Sequence, residues 1–107
     1  MDFVIVNTTV ASEASARSLA WRIVEERLAA CVQALPIHST YRWKGAIESA
    51  PEFLLLAKTR ASLANRLVAF IRQNHPYEVP EIMITPVHGG WGPYMEWLAA
   101  ETGGGEP

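Results

Sequence analysis

The stretch "IHSTYRWKGAIESAPEFLLLAKT", residues 37–59, decides the fold. From Ile37 to Trp43 the odd-numbered side chains alternate with more polar neighbours, which is the two-residue period of a β-strand. Lys44-Gly45 then has the composition of a tight turn, because glycine readily adopts a positive φ. The chain returns into the apolar run at 52–59. The sequence therefore predicts an antiparallel hairpin with Tyr41 and Trp43 near its tip.

Two prolines interrupt the arms of this hairpin, at similar distances from the turn. Pro36 and Pro51 cannot donate a backbone hydrogen bond, so each predicts a bulge or the end of central pairing. If the arms are instead continuous, they exceed the usual strand length of about 5–6 residues. Such a hairpin would project beyond its own core.

On the N-terminal side, the pattern predicts a strand followed by a helix. The run "FVIVNTT", residues 3–9, is rich in β-branched residues. Ser12 is suited to cap a helix, and apolar side chains follow at helical spacing from Ala16 to Leu28.

On the C-terminal side, a helix, a strand and a short helix are predicted. The helix occupies about 62–74 and should end before Pro76, because proline disfavours helical geometry in the preceding residue. An apolar strand follows at 81–87. Pro93 then opens a helix that extends to about Glu101, with Gly103 as a natural stop.

The predicted order is β-α-β-β-α-β plus a short C-terminal helix. This order indicates an α+β fold, the ferredoxin-like sandwich, with a four-stranded antiparallel sheet and two helices on one face. We expect a single domain at 1–102 and a flexible, glycine-rich tail at 103–107. The core strands are apolar on both sides, so the face without helices needs a cover. Self-association into a closed assembly would supply it.

Bulk composition excludes several classes of protein. Half of the 107 residues are hydrophobic, 19% are charged and the net charge is −2, as in a soluble globular domain. The nine basic residues are scattered, which disfavours nucleic acid as a partner. No stretch approaches the ~18 apolar residues of a membrane span. A single cysteine suits a reducing compartment, so we expect a cytoplasmic protein.

The candidate metal ligands do not form a dense motif. Cys31 is interpreted as a packing residue, and His38 and His88 as solvated side chains. His75 is held at a helix end by the following Pro76. It either interacts with the terminal carbonyls of that helix or contacts a ligand. No CxxC, HxH or HExxH spacing is present.

Motifs for catalysis are also missing from the sequence, so we expect a protein that is not an enzyme. There is no G-x-S-x-G, P-loop or G-x-G-x-x-G pattern. The aromatic residues suggest contacts instead. Trp97 is spaced for packing with Tyr94 and Leu98, whereas Trp43 at the hairpin tip favours either intersubunit packing or a ligand cleft.

Five stretches in order resemble one protein family. They are "EERLAACV" (25–32), "STYRWKGAIE" (39–48), "FLLLAKT" (53–59), "HPYEVPEI" (75–82) and "YMEWL" (94–98). Together they resemble the CutA family of divalent-cation tolerance proteins, across nearly the whole chain. The resemblance implies a ferredoxin-like subunit assembled through its long hairpin into a tight homotrimer. Candidate trimer-interface residues are Tyr41, Trp43 and Trp91.

The resemblance also implies a link to tolerance of copper and other divalent metals. The copper site proposed for some bacterial members uses a cysteine ending the first strand and a His-His pair before Pro-Tyr. The matching positions here are Asn7, Asn74 and His75. His75 is therefore the candidate metal ligand, with copper or another divalent cation as the possible metal.

A second interpretation follows from the same resemblance, because the trimer is similar to that of the PII signalling proteins. Those trimers bind small effectors in clefts between subunits. By this analogy the chain would be a signalling or scaffold trimer that binds a small molecule or a partner protein. Candidate cleft residues are Trp43, Lys58, His75, Tyr77 and Glu81.

Overall fold

The computed structural model describes residues 1–103, and its elements follow the predicted order. They are β1 (Phe3–Val10), α1 (Glu13–Glu25), β2 (Cys31–Trp43), β3 (Ala46–Arg60), α2 (Ala64–Gln73), β4 (Ile82–Val87) and α3 (Gly92–Glu101). The sheet has the order β2-β3-β1-β4, and all neighbouring strands are antiparallel. The predicted α+β architecture is therefore confirmed.

The starts of α1 and α2 are set by the residues just before them. The Ser12 hydroxyl accepts a hydrogen bond from the Ser15 N–H at 3.1 Å and so caps α1, as predicted. The second helix starts later than expected, because Ala61–Leu63 form a 3₁₀ turn before α2. No helix among residues 1–103 is long and apolar enough to cross a membrane.

The core lies between one face of the sheet and the helices. Val4 and Val6 of β1 are buried there against Leu19 and Ile23 of α1 and Leu67 of α2. We call this side the helix face. Because strand side chains alternate, the neighbouring residues point to the opposite side, which we call the open face. The open face carries Ile5, Asn7, Leu35, Leu54, Leu56 and Met83.

The third helix lies against β3 at one end of the open face. Lys58 projects to this side, and its Nζ lies 5.6 Å from the centroid of the Tyr94 ring. Leu98 of α3 is buried, in agreement with its predicted packing role. Trp97 remains 44% exposed, and its ring lies beside that of Tyr94, at 5.6 Å between centroids.

The long hairpin is present, but the predicted interruption at its prolines is wrong. The β2–β3 register continues from Cys31↔Lys58 to Trp43↔Ala46, with Pro36 opposite Phe53 and Pro51 opposite His38. The pairs Pro36–Phe53 and His38–Pro51 are two positions apart in the register, so they are of the same type. Both fit non-hydrogen-bonded pairs, in which the N–H points away from the partner strand. Pro36 needs no N–H on its outer side, because β2 is an edge strand. Pro51 needs none either, because β1 ends opposite Phe53 and does not reach it. The chain therefore pairs through both residues.

The hairpin turn uses two residues in the left-handed region. Lys44 has a φ of 49° and Gly45 a φ of 83°. Positive φ at both central residues is the geometry whose twist matches that of the flanking strands. The predicted Lys44-Gly45 turn is therefore confirmed.

The end of the described chain is anchored to the domain. The Gly103 N–H donates to the Arg27 carbonyl at 2.9 Å, and Arg60 Nη2 donates to the Thr102 carbonyl at 2.8 Å. The predicted flexible tail began at Gly103. Its remaining positions, 104–107, lie outside the described residues.

Candidate functional site

A groove of about 700 Å³ runs between the hairpin and the loop that precedes β4. The hairpin extends past the end of β1, so no other strand within residues 1–103 pairs with its distal half, and the loop lies beside it instead. We call this cavity the hairpin groove. Its lining residues are Thr9, Ser39, Thr40, Tyr41, Trp43, Glu52 and residues 77–81.

His75 is held beneath the groove by hydrogen bonds through both ring nitrogens. Its Nε2 lies 2.6 Å from the Thr9 carbonyl oxygen, and its Nδ1 accepts from the Tyr77 N–H at 3.2 Å. A carbonyl can only accept and an amide N–H can only donate, so the proton resides on Nε2. The β1–β4 pairing ends at Thr8↔Ile82. His75 therefore supplies a donor to a strand carbonyl that lies past the end of β4.

The His75 ring does not interact with the terminal carbonyls of its helix, which was one of the two predicted roles. Asn74 has that role, because its Nδ2 donates to the Phe70 carbonyl at 2.8 Å. Asn74 is also the C-cap of α2. The two adjacent side chains thus bind different elements: Asn74 satisfies the helix end and His75 satisfies the strand end.

Tyr77 and Glu52 form a part-buried hydrogen bond in the lining of the groove. The Tyr77 hydroxyl donates to Glu52 Oε2 at 3.1 Å, and Glu52 is only 9% exposed. The pKa of Tyr77 is raised above the ordinary phenol value of 10.0, mainly by partial burial. The hydrogen bond to Glu52 and the negative charge of Glu52 raise it further. Tyr77 also packs edge-on against His75, with 4.6 Å between ring centroids. This contact joins the His75 support to the groove wall.

Two further carboxylates line the groove nearer to solvent. Glu81 Oε2 accepts from Asn7 Nδ2 at 2.8 Å. Glu78 Oε1 lies 3.9 Å from Lys44 Nζ, and both of these side chains are more than 70% exposed. An ion pair at that exposure contributes little to stability, so Lys44 is free to move away from the groove mouth.

The structure brings together most of the predicted cleft residues. Trp43, Tyr77 and Glu81 line the hairpin groove, and His75 supports Tyr77 from below. Lys58 does not belong to this set, because it lies against Tyr94 of α3. The predicted interface residues Tyr41, Trp43 and Trp91 are 45%, 37% and 76% exposed in one chain.

Glu52 is the site residue that sequence reasoning missed. It opens the apolar run 52–59, where a strand assignment explains its neighbours but not its charge. The signal that could have identified it is its charge at the start of a core strand. Carboxylates are rarely buried without a partner, so a carboxylate there indicates a polar contact.

Residues 1–103 of one chain do not form a site that suits a divalent metal. Among residues 1–103, no three His, Cys, Asp or Glu side chains converge on a position that could hold an ion. Metal binding at His75 would also require one of its two ring hydrogen bonds to break. His38 is exposed and contacts Ser49 Oγ at 3.0 Å, and Cys31 is half-buried in β2.

Comparison with known proteins identifies the family. The profile described as CutA1 divalent ion tolerance protein matches residues 4–101. The chain belongs to the CutA1 family. The resemblance of its five motifs to CutA proteins is thereby confirmed.

Individual CutA relatives agree with this assignment. The divalent-cation tolerance protein CutA of Thermus thermophilus is 44% identical over 100 residues, covering 92% of this chain and 97% of that protein. The chloroplastic CutA of Arabidopsis thaliana is 43% identical over 100 residues, covering 92% of this chain and 55% of that protein. Human CutA is 45% identical over 95 residues, covering 88% and 53%. The chain thus spans about half the length of its plant and animal relatives.

Solved CutA structures share the architecture. CutA1 from Oryza sativa superposes with a TM-score of 0.92 at 40% identity, covering 95% of this chain and 94% of that one. The Thermus thermophilus protein gives 0.90 at 43% identity, covering 94% and 99%. Agreement at this level extends to the long hairpin and α3, so the family subunit fold is established for this chain.

Proposed function

We propose that this CutA-family chain acts without catalysis, as a homotrimer that binds a small molecule or partner in the hairpin groove. The groove would then lie in a cleft between subunits, and divalent-cation tolerance would depend on its occupancy. The observation that carries this proposal is the groove itself, which combines Tyr41, Trp43 and Tyr77 with three carboxylates beside an apolar sheet face. Concave sites with aromatic walls and a few polar groups are typical of ligand binding.

The open face supports self-association. Met83 is 59% exposed and Leu35 42% exposed on this side, while α3 lies at the end near Lys58. Both edge strands, β2 and β4, also carry unpaired backbone groups in one chain. A symmetric assembly would cover the apolar side chains and the edges together. The resemblance to trimeric CutA proteins makes three copies the expected number.

The assembly and the groove can be tested on one preparation. Light scattering should give the mass of three copies, and a metabolite screen by thermal shift should find compounds that raise the melting temperature, since they bind the native state. Trp43→Ala should abolish the shift for any compound that binds in the groove. A monomeric mass would contradict the proposed trimer. Hits that are unaffected by Trp43→Ala would place the ligand elsewhere.

Direct binding of a divalent metal at His75 is the second candidate. Its support is that His75 Nδ1 accepts a long hydrogen bond of 3.2 Å from the Tyr77 amide, which a metal could displace. Copper and zinc prefer imidazole nitrogen ligands.

Metal titration with a variant tests that candidate. If His75 is a ligand, His75→Ala should weaken Cu²⁺ or Zn²⁺ binding by about tenfold or more, measured by calorimetry. His88→Ala is the matched control, since His88 is an exposed histidine away from the groove. Equal affinities in wild type and His75→Ala would remove His75 from any metal site.

We also propose a cytoplasmic location, which the single cysteine supports. Fractionation of cells that express the full-length protein, with detection by antibody, checks it.

A further inference from the structure

The hairpin groove has a marked charge imbalance. Glu52, Glu78 and Glu81 line it, and no lysine, arginine or histidine among residues 1–103 is part of the lining. An anionic ligand would meet the like charges of Glu52 and Glu81 there, which is unfavourable in a partly desolvated cleft. Glu78 is opposed only weakly, by the exposed Lys44 at the groove mouth. The lining therefore selects for positive charge.

Glu52 is the groove carboxylate best suited to bind a cation, because it is largely buried and lines the groove. It is 9% exposed, its hydrogen-bond partner is the neutral Tyr77 hydroxyl, and it forms no ion pair with another described residue. Buried carboxylates in proteins are normally paired with a cation or saturated with hydrogen bonds. The Tyr77 hydroxyl occupies one acceptor site of this carboxylate, and its other sites are available to a ligand in the groove that Glu52 lines.

The aromatic walls suit an organic cation. Lys44 already places its Nζ 5.6 Å from the centroid of the Trp43 ring and 3.9 Å from Glu78 Oε1. An ammonium group is therefore accommodated at the groove mouth by one aromatic face and one carboxylate. Tyr41 and Tyr77 offer further aromatic surface inside, and Val79 and Pro80 offer apolar surface for a hydrocarbon stem.

A bare divalent ion fits this arrangement less well. The three glutamates do not converge on one point within the described residues, so they cannot chelate a small ion together. An ammonium or guanidinium group on an apolar stem can contact separated carboxylates and aromatic rings at once.

From these contacts we propose that the hairpin groove binds an organic cation, an ammonium or guanidinium group on an apolar stem, with its charge paired to Glu52. This inference rests on the proposed function, since it specifies the chemical class of the groove ligand. It does not require that three copies assemble.

The test uses 1,4-butanediamine as the probe and 1,4-butanediol as its uncharged counterpart. Calorimetry with the full-length protein should show saturable binding of the diamine, while the diol binds at least about tenfold more weakly because it lacks charge-assisted hydrogen bonds. Glu52→Gln keeps the shape of the side chain and should weaken diamine binding by about tenfold or more. Glu81→Gln provides a second groove variant with the same expected direction. Glu96→Gln, on the exposed surface of α3, is the matched control and should leave affinity unchanged.

Several results would overturn the proposal. They are equal affinity for diol and diamine, no saturable binding up to about 10 mM diamine, or diamine binding unaffected by both Glu52→Gln and Glu81→Gln. If a cationic side chain of a second copy pairs with Glu52, the diamine will not bind and Glu52→Gln will lower the mass or thermal stability of the assembly. That result would overturn the cation proposal and leave the trimer standing. If the protein is a trimer that binds only anionic metabolites, the organic-cation proposal is wrong and the proposed trimer stands.

Discussion

At the scale of single residues, His75 illustrates how a polar side chain completes a sheet. Its two hydrogen bonds join the strand end at Thr9 to the loop at Tyr77. Both partners are backbone groups, which would otherwise need water or a ligand. The position of this ring sets the Tyr77 ring beside it, and thereby one wall of the groove.

Tyr77 predicts a pH dependence at the alkaline end. Its pKa in the folded chain is raised above 10.0 by burial and by Glu52, so the folded state holds the phenol proton more tightly than the unfolded state. This contribution to folding stability is fully present below pH 10 and is lost as pH rises through the folded pKa. Urea denaturation at a series of alkaline pH values should show a steeper loss for wild type than for Tyr77→Phe. A Tyr77 phenolate absorbance that develops below pH 10 would contradict this prediction.

The same substitution at two buried threonines should have opposite effects. Thr59 is fully buried, and its hydroxyl has no partner among residues 1–103. Thr59→Val should therefore stabilise the fold by about 1 kcal/mol. Thr102 is also buried, but its hydroxyl accepts from Arg60 Nε at 3.0 Å and lies 3.0 Å from the Leu98 carbonyl oxygen. Thr102→Val should destabilise by about 1–3 kcal/mol.

Denaturation of both threonine variants at one fixed protein concentration makes the comparison, because oligomer stability depends on concentration. A shift of both midpoints in the same direction would refute the assignment of their hydrogen bonds.

At the scale of the elements, the hairpin depends on its two-residue turn. Gly45 has a φ of 83° and open space around its Cα, so a methyl group there would meet no neighbour. The cost of Gly45→Ala is then conformational alone, about 1 kcal/mol. Gly89 also has open space, and its φ lies outside the left-handed region, so Gly89→Ala should be close to neutral. Thermal denaturation compares the two, and an equal loss in both variants would count against the turn geometry.

At the scale of the whole molecule, the open face predicts how the chain assembles. Met83→Glu places a charge on this face opposite Asn7 and should reduce the solution mass from three copies towards one. Circular dichroism should show that the subunit fold persists. Trp21→Lys is the control, because Trp21 is 74% exposed on α1, on the other side of the sheet, and should leave the mass unchanged. A trimeric Met83→Glu protein would exclude this part of the open face from the interface.

The elements could be predicted because their signals are local. Ser12 caps α1 through a neighbour three residues away, and the Lys44-Gly45 turn is encoded by its own two residues. Alternation in the hairpin reports the period of a strand wherever that strand packs. The predicted breaks at Pro36 and Pro51 failed for a different reason. Whether a missing N–H matters depends on which strand lies alongside, and that is a property of the sheet.

The groove shows the corresponding limit for site residues. Trp43, Tyr77 and Glu81 were predicted by resemblance, but Glu52 was not, and Lys58 lies with α3 instead. The Tyr77–Glu52 contact spans 25 positions of the chain. No periodicity within a single element can encode a contact of that separation.

By itself, the sequence determined the order of strands and helices, the long hairpin and, through its motifs, the CutA family. Each follows from propensities, periodicities or motifs that act over a few residues. Only the tertiary structure decided that His75 bonds to Thr9, 66 positions away, and that Glu52 is buried beside Tyr77. The physical reason is that burial and pairing depend on which distant groups the sheet brings together. The chemical type of a side chain determines which groups it can bind, and the fold determines which of those groups lie within reach.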